Sequence, residues 1–412
     1  WYGNVMFHLL LFSILMITTV VESYSSLPNG NGDYVTASRI GFLGGIVDDW
    51  LDTSKRPGIE TTYGPIGDWD VSLVTNFGYL FYQKTTFNTD ISKWNVAAAE
   101  NMFAMFAGAS AFNVDLSTWD TGKVATFQQT FSSCSVFNRD LSSWETGKST
   151  NMYGMFYQAS AFNGDVSTWD TDAITNMKGM FQQTAFNGDL STWQTGAVIN
   201  MEGMFYGASK FNGDVSTFQT SEVTTMKGMF TGASAFNGDV SKWQTGKVVN
   251  LQNVFHHASA FNGDLSAWQT SNVNTMQGMF YGASAFNGDV STWQTSSLTN
   301  TQAMFQSASA FNNDVSKWQT SKITTFQEMF RLAKVFNGDL SAWQTGKVTD
   351  MGDMFLQSFD FNGDVSVWQT SAVTNMRQMF RSASKFNGDL SKWQTSAVTN
   401  MGYMFLAAQA FN

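Results

Sequence analysis

The chain has 412 residues, charged residues are 13% of it, and its net charge is −10. So sparse and acidic a balance provides no basic stripe to displace counterions from phosphates, which argues against nucleic acid as a partner. Cys134 is the only cysteine, so no internal disulfide can form and cohesion has to come from packing.

The chain opens on an apolar run from Leu9 to Val21, interrupted only by Ser13, Thr18 and Thr19, with small residues at Ser23 and just beyond. Residues 1–23 read as a secretory signal peptide cleaved after Ser23. The run is shorter than the roughly 20 residues a membrane span needs, so none is expected in the mature chain. Trp1 is not an initiator, so either Met6 is the start or the sequence is a fragment; the stop at Asn412, two residues into a new copy, favours a truncated C-terminal end. Residues 24–37, with the turn-rich LPNGNGDYV, read as a linker.

Residues 38–63 read as an N-terminal helical cap. Ile40, Leu43, Ile46, Val47, Trp50 and Leu51 recur at helical spacing, with Ser38 as N-cap. Pro57 and Pro65 bracket a connector. From 64 to 412 one unit repeats, cleanest from Phe261 to Ala285 as FNGDLSAWQTSNVNTMQGMFYGASA. Its Phe-Asn pair returns every 25 residues from Phe87 to Phe411, except for one step of 24 from Phe162 to Phe186. A fixed period of this length signals stacked supersecondary units.

Columns are numbered here from the Phe of each Phe-Asn pair. Val273, Met276, Met279, Phe280 and Ala283 fall at i, i+3, i+6, i+7 and i+10, which predicts a short helix. The other half of the unit, NGDLSAWQT, is too short for a helix and predicts a brief strand and a turn. The expected fold is therefore α/β, a leucine-rich-repeat-like solenoid with one short strand and one short helix per 25-residue coil. At about 4.8 Å per coil it would be on the order of 60 Å long.

The pattern FNxDlSxWxTxxVTxMxxMFxxA resembles the BspA-like leucine-rich repeat surface proteins over Gly64 to Asn412, and YGPIGDWDVS with the preceding helix resembles that family's N-terminal cap. The resemblance implies a horseshoe or solenoid at a cell surface, engaged in adhesion. It implies no shared ligand and no binding residue.

Column eight is Trp from Trp94 to Trp393, with Phe218 the exception. An indole ladder could stack sugar rings, but burying each indole hides roughly 200 Å², worth up to about 5 kcal/mol, so a core role is favoured. Column twenty is Phe throughout and follows a mainly Met column, again a core stripe. Column four is Asp and column six Ser in every unit. Stacked carboxylates repel, so either Asx turns or a row of Ca²⁺ ions on Asp239, Asp264, Asp289, Asp314 and Asp339 must compensate; the turn is favoured, because the denser oxygen set of Ca²⁺ loops is missing.

Column two is always Asn and predicts an amide ladder along the stack. Column three, usually Gly, also holds Thr89, Val114 and Arg139, so it is not an obligatory left-handed turn. Thr fills column ten except at Val96, as at Thr121 and Thr270, a row that could match an ice lattice. Cys134 stands in a column otherwise mostly Ala and reads as a small buried residue. His256 and His257 occur in one unit only, which speaks against a repeated His metal site and against a Ser/His triad.

The departures from the repeat do not gather into a catalytic cluster, so a non-enzymatic protein is expected, without cofactors unless Ca²⁺ fills the Asp row. The expected function is adhesion to an extracellular protein or glycan surface through an extended polar face; the alternative is a self-associating, filament-forming structural component. Recognition would have to be written at variable positions such as those of Ala267, Gln277 and Tyr281.

Overall fold

The computed structural model describes residues 40–412. The expected signal peptide (residues 1–23), the expected linker (24–37) and the expected N-cap Ser38 lie outside the described residues. Helix α1 spans Ile40–Leu51, helix α2 spans Arg56–Tyr63, and a single 3₁₀ turn covers Ile66–Asp68. Leu43, Ile46, Val47 and Trp50 of α1 are buried in one core with the first coils, and the Trp50 ring meets Phe87 edge-on at 6.5 Å.

The expected connector between Pro57 and Pro65 is mostly α2. Pro57 lies in its first turn, where a missing N–H leaves nothing unpaired. Arg56 fastens the two helices: its Nε donates to the Trp50 carbonyl at 2.8 Å, and its guanidinium stands 4.2 Å over the Trp50 ring.

Beyond Asp68 the expected coil of one strand and one helix is overturned. Among the described residues no helix and no extended strand follows; neighbouring coils meet at isolated parallel bridges, from Asn76–Asn101 to Asn375–Asn400, one per coil. The segment predicted as helix is instead a chain of tight turns. The N–H groups of Met279, Tyr281 and Ala283 donate three residues back, to the carbonyls of Met276, Gly278 and Phe280. The N–H groups of Met276, Gly278, Phe280 and Gly282 donate to the next coil, at the carbonyls of Asn300, Gln302, Met304 and Gln306.

An α-helix uses its N–H groups within the segment. Here they alternate between the coil and its neighbour, so every coil is knitted to the next. The geometry depends on columns 18 and 22, which hold positive φ in coil after coil: Gly278 at 59°, Gly282 at 71°, Tyr79 at 61° and Leu332 at 60°. Left-handed residues at that spacing cannot belong to an α-helix. The apolar periodicity was still informative about burial, since Val273, Met276, Met279, Phe280 and Ala283 are all fully inside.

Two Phe columns interleave to form the core. Phe280 stacks on Phe286 at 3.8 Å and on Phe255 at 5.7 Å, and the column-one rings Phe261 and Phe286 stand 5.9 Å apart. The indoles stack beside them, Trp243 on Trp268 at 6.3 Å. The core reading of column eight therefore holds, and the structure adds what the N–H does: Trp268 Nε1 donates to the Val240 carbonyl of the preceding coil at 3.0 Å, and the other column-eight indoles repeat the bond.

The 24-residue step is accommodated by a hydroxyl. In ordinary coils the Phe N–H donates to the column-23 carbonyl, as Phe162 does to Ala159 at 2.9 Å. In the shortened coil Phe186 N–H donates to Thr184 Oγ1 at 3.3 Å, while that hydroxyl donates to the Phe181 carbonyl at 2.8 Å. Replacing Thr184 with alanine should cost about 1 kcal/mol, read as a lower denaturation midpoint, whereas Ala159→Ser should change it little.

Candidate functional site

The polar columns divide into those that tie the stack and those that do not. In column four, Asp264 Oδ1 accepts the Ser266 N–H at 2.9 Å, and Asp239, Asp289, Asp314 and Asp339 accept from the Ser two residues on in the same way. The row is built of Asx turns. Among the described residues no group of three His, Cys, Asp or Glu is placed to hold a metal ion. A melting midpoint that does not move between chelator and added Ca²⁺ is the expected result; a rise with Ca²⁺ would restore the cation row.

The turns also set the charge state. The N–H and hydroxyl of Ser291 hold the Asp289 carboxyl below its usual range, and Ser316 does the same for Asp314. A carboxyl depressed on folding contributes stability that is whole above its unfolded pKa and is lost as pH falls through the folded one. The melting midpoint should therefore hold above about pH 5 and fall progressively below about pH 4, with a shallower fall in the Asp289→Asn, Asp314→Asn double variant.

The Asn column forms the predicted ladder, but an exposed one: Asn262 Oδ1 accepts the backbone N–H of Asn287 at 2.8 Å, and this recurs from Asn88 to Asn412. Column three keeps ordinary φ, as its substitutions implied. The Thr row of column ten is a different matter. Thr121 and Thr270 are buried, and Thr245 Oγ1 both donates to the Gln269 carbonyl and accepts the Gln269 N–H in the next coil. That row faces inward and presents nothing to an ice lattice. Cys134 is buried too, its thiol pushed up by burial.

What remains is the outer side of the knitted segment, columns 15, 17, 18, 21 and 22; the coils differ most in the last four of these, while column 15 holds only Asn, Thr and Asp. Departures from the repeat are most frequent along this face, spread over the whole stack. Near the first coils the face is aromatic: Tyr79 meets Phe103 edge-on at 4.9 Å and Tyr82 at 5.5 Å. In the middle it is an amide and imidazole surface. Gln252, Gln277, Gln302 and Gln327 pass Nε2–H to Oε1 bonds along the stack at 3.4, 3.2 and 2.9 Å. His256 stacks on Tyr281 at 4.6 Å, and burial, helped by His257, brings its pKa down to about 4.

Towards the last coils the face is charged. Arg331 pairs with Glu328 at 3.1 Å, and Gln378 Nε2 donates to Asp353 at 2.9 Å. Burial pushes the Asp353 carboxyl up against the opposing pull of Arg331, Arg377 and Arg381. Of the variable positions named from sequence, Gln277 and Tyr281 are on this face; Ala267 is exposed elsewhere on the coil.

A model of the family described as "Mycoplasma protein of unknown function, DUF285" matches residues 57–167, 140–237, 213–317 and 310–412. No curated protein matches the chain.

Proposed function

We propose that this chain, which belongs to the DUF285 family of Mycoplasma proteins of unknown function, is a secreted or cell-surface repeat protein that adheres to an extracellular surface through its knitted face. One observation carries the reading. The stacking columns are nearly invariant along the array, while sequence variety and the exposed tyrosines Tyr79, Tyr82, Tyr206 and Tyr403 are concentrated in the outward columns of a single segment. Many adjacent, similar sites in register give avidity without any one strong contact. The apolar leader supports export, and the likeness of the unit to BspA-like surface proteins supports a surface role.

The test is adhesion of protein-coated beads to cell layers and to immobilised matrix proteins. Saturable adhesion is expected, and removing three whole coils, residues 236–310, should weaken it in proportion to length. Loss of all adhesion on removing any single coil would contradict a distributed face, and absence of adhesion by the full chain would end the proposal.

A further inference from the structure

The knitted face carries an ordering that stacking does not require. All seven tyrosines after Gly64 stand in columns 17, 18 and 21. Wherever column 21 is an aromatic ring, column 18 of the next coil is glycine or alanine: Tyr82 with Ala104, Tyr157 with Gly179, Tyr206 with Gly228, His256 with Gly278, and Tyr281 with Ala303. Where column 21 is not aromatic, column 18 takes Gln129, Asn253, Glu328, Asp353 or Gln378 as readily as glycine.

Ring and small residue are neighbours across the coils. A Cβ on Gly179 would stand 3.9 Å from Tyr157 Cδ2, one on Gly228 3.8 Å from Tyr206 Cδ2, and one on Gly278 3.6 Å from His256 Cδ2. The rings of Tyr157, Tyr206 and His256 thus lie beside the following coil, and each stays partly open to solvent, Tyr206 at 40% exposure; Tyr82, on the same column, is 45% exposed. A ring braced on one side and open to solvent is a platform. Beside these rings the Gln252 to Gln327 ladder spends one N–H and one oxygen lone pair of each interior amide on its neighbours. The second N–H of each is left for a ligand, as is the second lone pair of Gln302, while that of Gln277 accepts from Asn300 Nδ2 at 3.5 Å. From Gly228 to Ser307 the outward columns contain no Asp, Glu, Lys or Arg.

We propose that this face binds a neutral polysaccharide laid along the stack, its sugar rings on the aromatic platforms and its hydroxyls on the amide ladder; the inference rests on the adhesion reading above. The C–H face of a pyranose is apolar and covers an aromatic ring, while its hydroxyls both donate and accept, as a side-chain amide does. A charged polymer would find no counter-charge along the central coils. A protein partner would call for a contiguous apolar centre, whereas these rings are separated by amides.

The experiment combines a glycan array of neutral and acidic saccharides with bead adhesion to cell layers before and after periodate oxidation, which destroys sugar diols. Binding to neutral glycans, little changed between low and high salt, and loss of adhesion after periodate are expected. The Tyr157→Ser, Tyr206→Ser, Tyr281→Ser triple variant should bind at least about tenfold more weakly with a preserved melting midpoint. Gln277→Glu, which keeps the side-chain size, checks the ladder independently and should also weaken binding. Adhesion that survives periodate, or an array with no neutral glycan bound, overturns the inference and leaves adhesion standing. Neutral glycans bound on the array by a chain that does not adhere to cells would support the inference while ending the adhesion reading.

Discussion

Replacing Trp268 with alanine is expected to lower stability by about 4 kcal/mol, the larger of the two effects foreseen for a single coil. The indole is buried between Trp243 at 6.3 Å and Phe255 at 6.0 Å, so its removal opens a cavity that neighbouring rings, themselves stacked, cannot collapse into. It also removes the Nε1–H bond to the Val240 carbonyl. That carbonyl already accepts the Trp243 N–H at 3.2 Å, so the lost bond alone is worth about 1 kcal/mol.

Trp268→Phe separates the two contributions and should cost only about 1 to 2 kcal/mol. The chain contains the reverse experiment at Phe218, where the Leu190 carbonyl accepts the Trp193 N–H and no indole. Phe218→Trp should therefore raise stability. Equilibrium denaturation gives the magnitudes. Hydrogen exchange gives the location, since each unit in an array contacts only its neighbours, and faster exchange should be confined to the coils beside Trp268. Uniform acceleration along the chain would mean that the array unfolds as one unit and that the local accounting is wrong.

The sequence was a good guide to burial and a poor one to backbone. The period, the Trp and Phe core columns and the Asp-Ser turn could be read because each depends on residue type: indole and phenyl need burial, and a carboxylate two residues before an N–H makes an Asx turn. The helix could not be judged in this way. Apolar residues at i, i+3, i+6, i+7 and i+10 face inward from an α-helix, and they also face inward from a chain of turns whose alternate N–H groups leave for the next coil. Only backbone handedness separates the two, and glycine would be its marker. In columns 18 and 22 that marker is diluted by nineteen non-glycine residues, Leu332 and Tyr79 among them. The candidate site was hidden for a related reason: its signal is a pairing between column 21 of one coil and column 18 of the next, which reading the unit column by column cannot show.

The same two columns give the second large prediction. A side chain held in the left-handed region costs about 1 to 2 kcal/mol relative to an ordinary conformation, so the array stores strain wherever glycine is absent. Gly278→Val should be destabilising by about 2 to 3 kcal/mol. Its φ is 59°, valine is β-branched, and even a Cβ would stand 2.3 Å from Asn253 Oδ1. Conversely Leu332, at φ 60°, can be relieved. Leu332→Asn should gain about 0.5 kcal/mol, because asparagine tolerates this region and does not enlarge the unfolded ensemble as glycine would. Were these segments helical in solution, the signs would invert in part: Leu332→Asn would lose helix propensity and Gly278→Val would cost little. Opposite shifts of the denaturation midpoint for the two variants therefore test the turn-built coil itself, and with it the outward columns on which the recognition face depends.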